Sequence, residues 1–262
     1  MKRWFILSLI CGLFIVGHTN LLAQADSPTQ MMTRANELYD EGRFSEAAQL
    51  YQSLVDAGFQ DSNLFYNLGN AYFKQESWAR AILNYRRAQQ FSPRDPDIRA
   101  NLLLARTQTV DQIEVEGVDL LSRVTRFAQQ WLTLNEMAIA ALVLWFGVVI
   151  LLIIFLRVTN EGLRQGVLYL LILTGILMLG GLLSLGGRLY LEEARPEGVV
   201  VADEIDVSSG PGSQYIVEFT LHSGTEVSII EARNSWLRLS LPGGQLQGWV
   251  PASAVEAIAV EG

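Results

Sequence analysis

The chain has 262 residues, 50% of them hydrophobic and 18% charged, and its 27 acidic against 19 basic side chains give a net charge of −8. That balance, with no run of four basic residues, excludes a nucleic-acid reader, which needs a basic face to release counterions. The mean hydropathy of +0.24 in a chain with long polar stretches means that apolar residues are concentrated in blocks of the kind that lie in membranes. The single cysteine is Cys11 and the two histidines are His18 and His222, so disulfides, Cys/His zinc sites and multi-histidine metal centres are excluded and no cofactor is expected.

Residues 1–25 open with Lys2 and Arg3, continue through the uncharged stretch Trp4 to Leu22 and end in Ala23-Gln24-Ala25, the pattern of a secretory signal peptide. The competing reading is an uncleaved anchor, against which stand the short apolar region and the polar His18, Thr19 and Asn20 after it. Cleavage places the new N-terminus outside the cytoplasm.

Further along, 137–156 is free of charge between Glu136 and Arg157, and twenty residues at about 1.5 Å each span a hydrocarbon core. A second uncharged stretch, 166–187, follows after a short loop between Arg157 and Gly166. Together they predict a transmembrane helical hairpin. Gly180 and Ser184 have small-xxx-small spacing, read as packing. The hairpin crosses and returns, so the soluble parts before and after it are expected on one side, the periplasmic or outer side of a bacterial inner membrane.

Between the signal peptide and the hairpin, an offset of 34 residues aligns Asn36 with Asn70, Phe44 with Trp78, Ala47 with Ala81, Tyr51 with Tyr85 and Asn67 with Asn101. A period of that length predicts stacked helix pairs. The A helices fall at 33–39, 64–74 and 98–106 and the B helices at 45–55 and 78–90, with small Ala47, Ala81 and Ala88 at the close contacts. The unit around SNLFYNLGNAYFKQESWARAILNYRRAQQFSPRDP, with Phe65, Leu68, Gly69, Tyr72, Ala81, Tyr85, Ala88 and Pro93, resembles a tetratricopeptide repeat. The array as a whole covers 28–110 and ends in a half-repeat cap. The resemblance implies a protein-binding groove along the A helices, lined by Met32, Asn36, Tyr39, Asn63, Tyr66, Asn70 and Phe73, with Ala100 and Leu104 beyond. Asn36 and Asn67 stand at positions used by carboxylate-clamping members of that family, but Met32, Asp97 and Asn101 occupy the places of the clamp's basic residues. The asparagines therefore have two readings, ligand contact or helix-to-helix hydrogen bonding within the array.

Residues 111–136 form a hinge and an amphipathic connector in which Leu120, Leu121, Val124, Phe127, Ala128 and Trp131 recur at helical spacing, suited either to the membrane interface or to packing on the repeats. From 196 to 260 short β-rich runs, 198–202, 216–221, 225–232, 236–241 and 248–250, alternate with glycine-rich turns, and a small all-β barrel is expected. Gly210, Pro211, Gly212, Leu221, Gly224, Val227, Trp236, Gly248, Trp249 and Val250 give it a resemblance to bacterial SH3-like domains. His222 reads as a surface turn residue.

The expected fold is thus a multidomain membrane protein: an all-α tetratricopeptide-repeat array, a transmembrane helical hairpin and an SH3-like barrel. That order resembles the BatE proteins of bacterial aerotolerance operons. The resemblance implies a non-enzymatic membrane component acting beside von Willebrand A-type membrane proteins linked to a MoxR-type ATPase, in an aerotolerance or stress response. With no phosphate-cradling glycine loop and no GxSxG turn, no catalytic residues are assigned. Two functions stay open: a scaffold that gathers envelope proteins, and a cell-wall module whose SH3-like domain contacts peptidoglycan.

Overall fold

The computed structural model describes residues 27–111, 132–194, 196–244 and 246–259. The expected signal peptide, and the connector with Leu120 to Trp131, lie outside the described residues. Five helices make the first body: α1 (Pro28–Asp40), α2 (Phe44–Asp56), α3 (Ser62–Lys74), α4 (Trp78–Phe91) and α5 (Pro96–Arg106). Their starts carry the period most plainly. Ser27, Asp61 and Asp95, each 34 positions after the last, cap α1, α3 and α5 by accepting hydrogen bonds from the backbone N–H groups of the first turn. Gly42, at φ +78°, makes the turn between α1 and α2, a conformation that favours glycine.

Each helix packs on the next, and α3 also touches α1 and α5. The core of the array is built from Ala35, Leu38, Ala47, Tyr51, Leu54, Leu64, Phe65 and Leu68, continuing into Ala81, Ile82, Tyr85, Leu102 and Ala105. Gly69 is needed for close approach, since a Cβ there would lie 2.7 Å from the Tyr85 ring.

Helices α6 (Leu134–Arg157) and α7 (Glu161–Ala194) pack together as a hairpin. Both are long and apolar enough to cross a membrane, with mean hydropathies of 3.2 and 2.3 in the most apolar 18-residue stretches of Leu134–Arg157 and Glu161–Tyr190 and almost no residue there buried by the rest of the molecule. Thr133 and Glu136 form a capping box at the start of α6. Helical structure extends beyond the expected uncharged spans at both ends, because backbone hydrogen bonding continues through charged turns that the apolar criterion leaves out. Arg188 of α7 donates to the Leu132 carbonyl (2.6 Å), and Arg94, just after α4, pairs with Glu136. The mouth of the hairpin is thereby held to itself and to the array.

The C-terminal part is one antiparallel sheet of seven strands, β1 (Glu197–Val200), β2 (Glu204–Ser208), β3 (Val217–His222), β4 (Glu226–Arg233), β5 (Trp236–Ser240), β6 (Gln247–Pro251) and β7 (Val255–Ala257), in the order β3-β2-β6-β5-β4-β1-β7. Two strands, β2 and β7, were not among the expected runs: β2 is acidic on its outward face and β7 is three residues long. The sheet buries Val200, Val207, Leu221, Val227, Leu239, Val250 and Val255.

The expected barrel is corrected to an open sheet, since β3 and β7 do not pair with each other. The physical reason lies in the array, which reaches both edges. Along β7, Ile258 N–H bonds the Glu197 carbonyl of β1, so the neighbouring Ala257 carbonyl turns to the open side. There the nearly buried Arg87 of α4 donates to Ala257 O (2.8 Å) and Ile258 O (3.3 Å) and pairs with Glu256 (3.0 Å). At the other edge, Asp111 accepts from the His222 backbone N–H (2.8 Å) and the Thr225 hydroxyl (2.6 Å), with its second oxygen 2.9 Å from His222 Nδ1. His222 is therefore part of an interface. Burial alone would raise the Asp111 carboxyl, but these hydrogen bonds from Thr225 and His222 hold it below the usual carboxylate range.

Between the two edges, Glu226 accepts from Arg106 Nε (2.6 Å) and Nη2 (2.9 Å) and lies 3.1 Å from Arg86 Nε, while Arg86 also pairs with Glu197. Val199 and Ile258 complete the apolar cluster of Ile82, Leu83 and Leu102 beneath these charges.

Arg87→Ala leaves the Ala257 and Ile258 carbonyls without this donor and is expected to lower stability by about 1–3 kcal/mol. Ser53→Ala, at the equivalent position of the preceding repeat, is expected to cost less than about 0.5 kcal/mol. Thermal unfolding of the full chain in detergent compares the two midpoints.

Candidate functional site: the concave face of the repeat array

The A helices bring a polar ladder to one face. Tyr51 of α2 donates its hydroxyl to Asn36 Oδ1 (2.6 Å), and Asn67 Nδ2 donates to the same oxygen (3.2 Å). One repeat later, Tyr85 donates to Asn70 Oδ1 (2.7 Å), and Asn101 Nδ2 donates to that oxygen (2.9 Å) and to the Tyr66 hydroxyl (3.0 Å). Each rung joins an A helix, its own B helix and the next A helix, which is why the period preserves Asn, Tyr and Asn together. Of the two readings for these asparagines, helix-to-helix bonding is the one carried by Oδ1 of Asn36 and Asn70 and by Nδ2 of Asn67 and Asn101.

Burial first, then the proximity of Tyr39 and Asp40, pushes the Tyr51 phenol up to about 12, and burial does the same in direction for Tyr85. Tyr39 is raised by burial and by the nearby Tyr66 and Asp40.

On this face lies a half-open cavity of about 310 Å³ lined by Asn36, Tyr39, Asp40, Tyr51, Asn67 and Asn70. It takes three of the seven expected groove residues and adds Asp40, Tyr51 and Asn67. The other four do not line this cavity. Met32 packs half-buried on the first repeat, Tyr66 lies between the two parts of the helical core, and Phe73 meets Trp78 edge-on at 5.0 Å. Asn63, exposed in the first turn of α3, does not line the cavity. Tyr51 and Asn67 carry a signal in the sequence, since each has its counterpart one repeat on in Tyr85 and Asn101. Asp40 has none, because its counterpart is Lys74.

Among the described residues, no group of three or more His, Cys, Asp or Glu side chains is placed to hold a metal ion. What the face offers is amide groups, phenol hydroxyls, aromatic rings and one carboxylate, the means to hold a ligand by hydrogen bonds and stacking.

A family model described as tetratricopeptide repeat matches residues 32–96, from within α1 to the start of α5. No curated protein and no solved structure matches the chain. Over these residues the helix pairs are similar to tetratricopeptide repeats, which are generally non-catalytic and protein-binding.

Removing a rung's hydroxyl with Tyr85→Phe is expected to cost about 0.5–1.5 kcal/mol, measured by thermal unfolding. The raised phenols also set an alkaline limit. Their folded values exceed the unfolded value of about 10, so their contribution is whole below pH 10 and is lost as pH rises through about 12 for Tyr51. Phenolate absorbance near 295 nm is expected to show a late, cooperative rise that coincides with loss of helicity.

Proposed function

We propose that this chain is a non-enzymatic, membrane-anchored scaffold that gathers envelope or membrane proteins through the concave face of its repeats and through its C-terminal sheet. The observation that carries the reading is the joining of a protein-binding array to a sheet across a hairpin of two helices fit to span a bilayer. Two parts that touch on either side of such a hairpin share one face of the membrane, and the expected signal peptide makes that face the periplasmic or outer side of a bacterial inner membrane.

We read the sheet as an SH3-like domain from the order of its glycine and tryptophan motifs. The order of parts supports a place in a BatE-type aerotolerance or stress-response complex, with von Willebrand A-type membrane proteins and a MoxR-type ATPase as the partners that likeness implies. Contact of the sheet with peptidoglycan has less support, because Trp249 is buried, with the Arg233 guanidinium 5.3 Å from its ring centre, and is not available as a stacking surface.

The test is a mild-detergent pull-down of the tagged full-length protein beside a variant carrying Asn63→Arg and Ala100→Arg. Both residues are exposed on A helices and neither side chain joins the ladder, so the variant is expected to fold as the parent does. Integral-membrane partners that come down with the parent and are lost with the variant are the expected outcome. The same partners on both proteins would remove the repeats as the working surface.

A further inference from the structure

We propose that the cavity between α1, α2 and α3 receives a cationic side chain, arginine or lysine, from an extended segment of the partner protein. This rests on the reading of the concave face as the protein-binding surface and adds the chemistry of what is bound there. The cavity is at the small end of ligand-sized pockets, suited to one side chain of a bound segment.

Of its six lining residues only Asp40 carries a formal charge, and no lysine or arginine lines it. The nearby arginines of α1 and of the turn before α2 are engaged elsewhere, Arg34 with Glu37, and Arg43 with Glu41 and Glu46. The Asp40 side chain has no hydrogen-bond or ion-pair partner among the described residues, so the cavity has a negative charge at its rim that the fold leaves uncompensated. Beside burial and a neighbouring tyrosine, the same charge contributes to the raised phenols of Tyr39 and Tyr51.

An anion entering here meets neutral amide donors and a repelling carboxylate. A guanidinium or ammonium meets that carboxylate beside the half-buried Tyr39, an aromatic residue of the kind that attracts cations.

The test uses the full-length protein in detergent micelles and a displayed library of random dodecapeptides as the probe. Peptides selected on the parent are expected to carry arginine or lysine at one fixed position. Binding of a selected synthetic peptide is expected to weaken about tenfold or more when its arginine is replaced by citrulline, or its lysine by norleucine, and likewise on Asp40→Asn. Glu218→Gln, on β3 and away from the cavity, is expected to leave it unchanged. Binders without a basic position that are still blocked by Asn63→Arg with Ala100→Arg would overturn the cationic site and leave the groove standing. Equal affinity for the neutral peptide, or equal weakening by Glu218→Gln, would likewise overturn it. Failure to select any binder, or binders indifferent both to Asp40→Asn and to the groove variant, would remove the groove reading and the cationic site together.

Discussion

The structure depends on the contact through which a helical array takes over both edges of a β-sheet. Sheet edges carry backbone groups that need partners, and small sheets commonly meet that need by closing into a barrel. Here the work is divided between Arg87, whose guanidinium holds the carbonyls of Ala257 and Ile258 at the end of β7, and Asp111, whose carboxylate holds the N–H at the end of β3. Burying a guanidinium costs desolvation, which the charge-assisted bonds to two carbonyls and Glu256 offset. The apolar cluster below, from Ile82 to Ile258, adds the non-directional part of the contact.

This contact links the array and the sheet to the apolar hairpin. The array ends at Asp111 on the sheet, α6 begins beside Arg94, and α7 returns the chain to β1. A partner seated on the concave face would therefore bear on helices that are fastened both to the sheet and to the mouth of the hairpin. The array has a rigid means of doing so, since each rung of the asparagine and tyrosine ladder ties three helices together. Asn36 and Asn70 serve two purposes in one place: their carbonyl oxygens are spent on the scaffold, and their remaining polar surface lines the cavity.

Much of this was readable from spacing. The 34-residue offset set the helix pairs, the uncharged stretches set the hairpin, and Gly224, at φ +93° where a Cβ would strike Thr109, stands in a turn marked by its residues. The array's second face was readable only as an anomaly. Gln52 and Ser53 of the first unit become Arg86 and Arg87 in the next, a break in the repeat on the surface that meets the sheet. Asp40 and Asp111 offered no such mark, for a lone carboxylate in a polar stretch looks the same whether it faces solvent or a partner.

The division follows from the range of the forces involved. Helix periods, capping residues, turn glycines and membrane-length apolar runs act over a few residues or one repeat, so the sequence by itself determined the repeats, the hairpin and the β-rich character of the C-terminal part. Whether the sheet closed, which basic residues found acidic partners more than a hundred positions away, and where an uncompensated carboxylate came to rest beside two tyrosines were decided only by the tertiary structure. Those outcomes turn on groups brought together in space, and no local pattern encodes such a meeting.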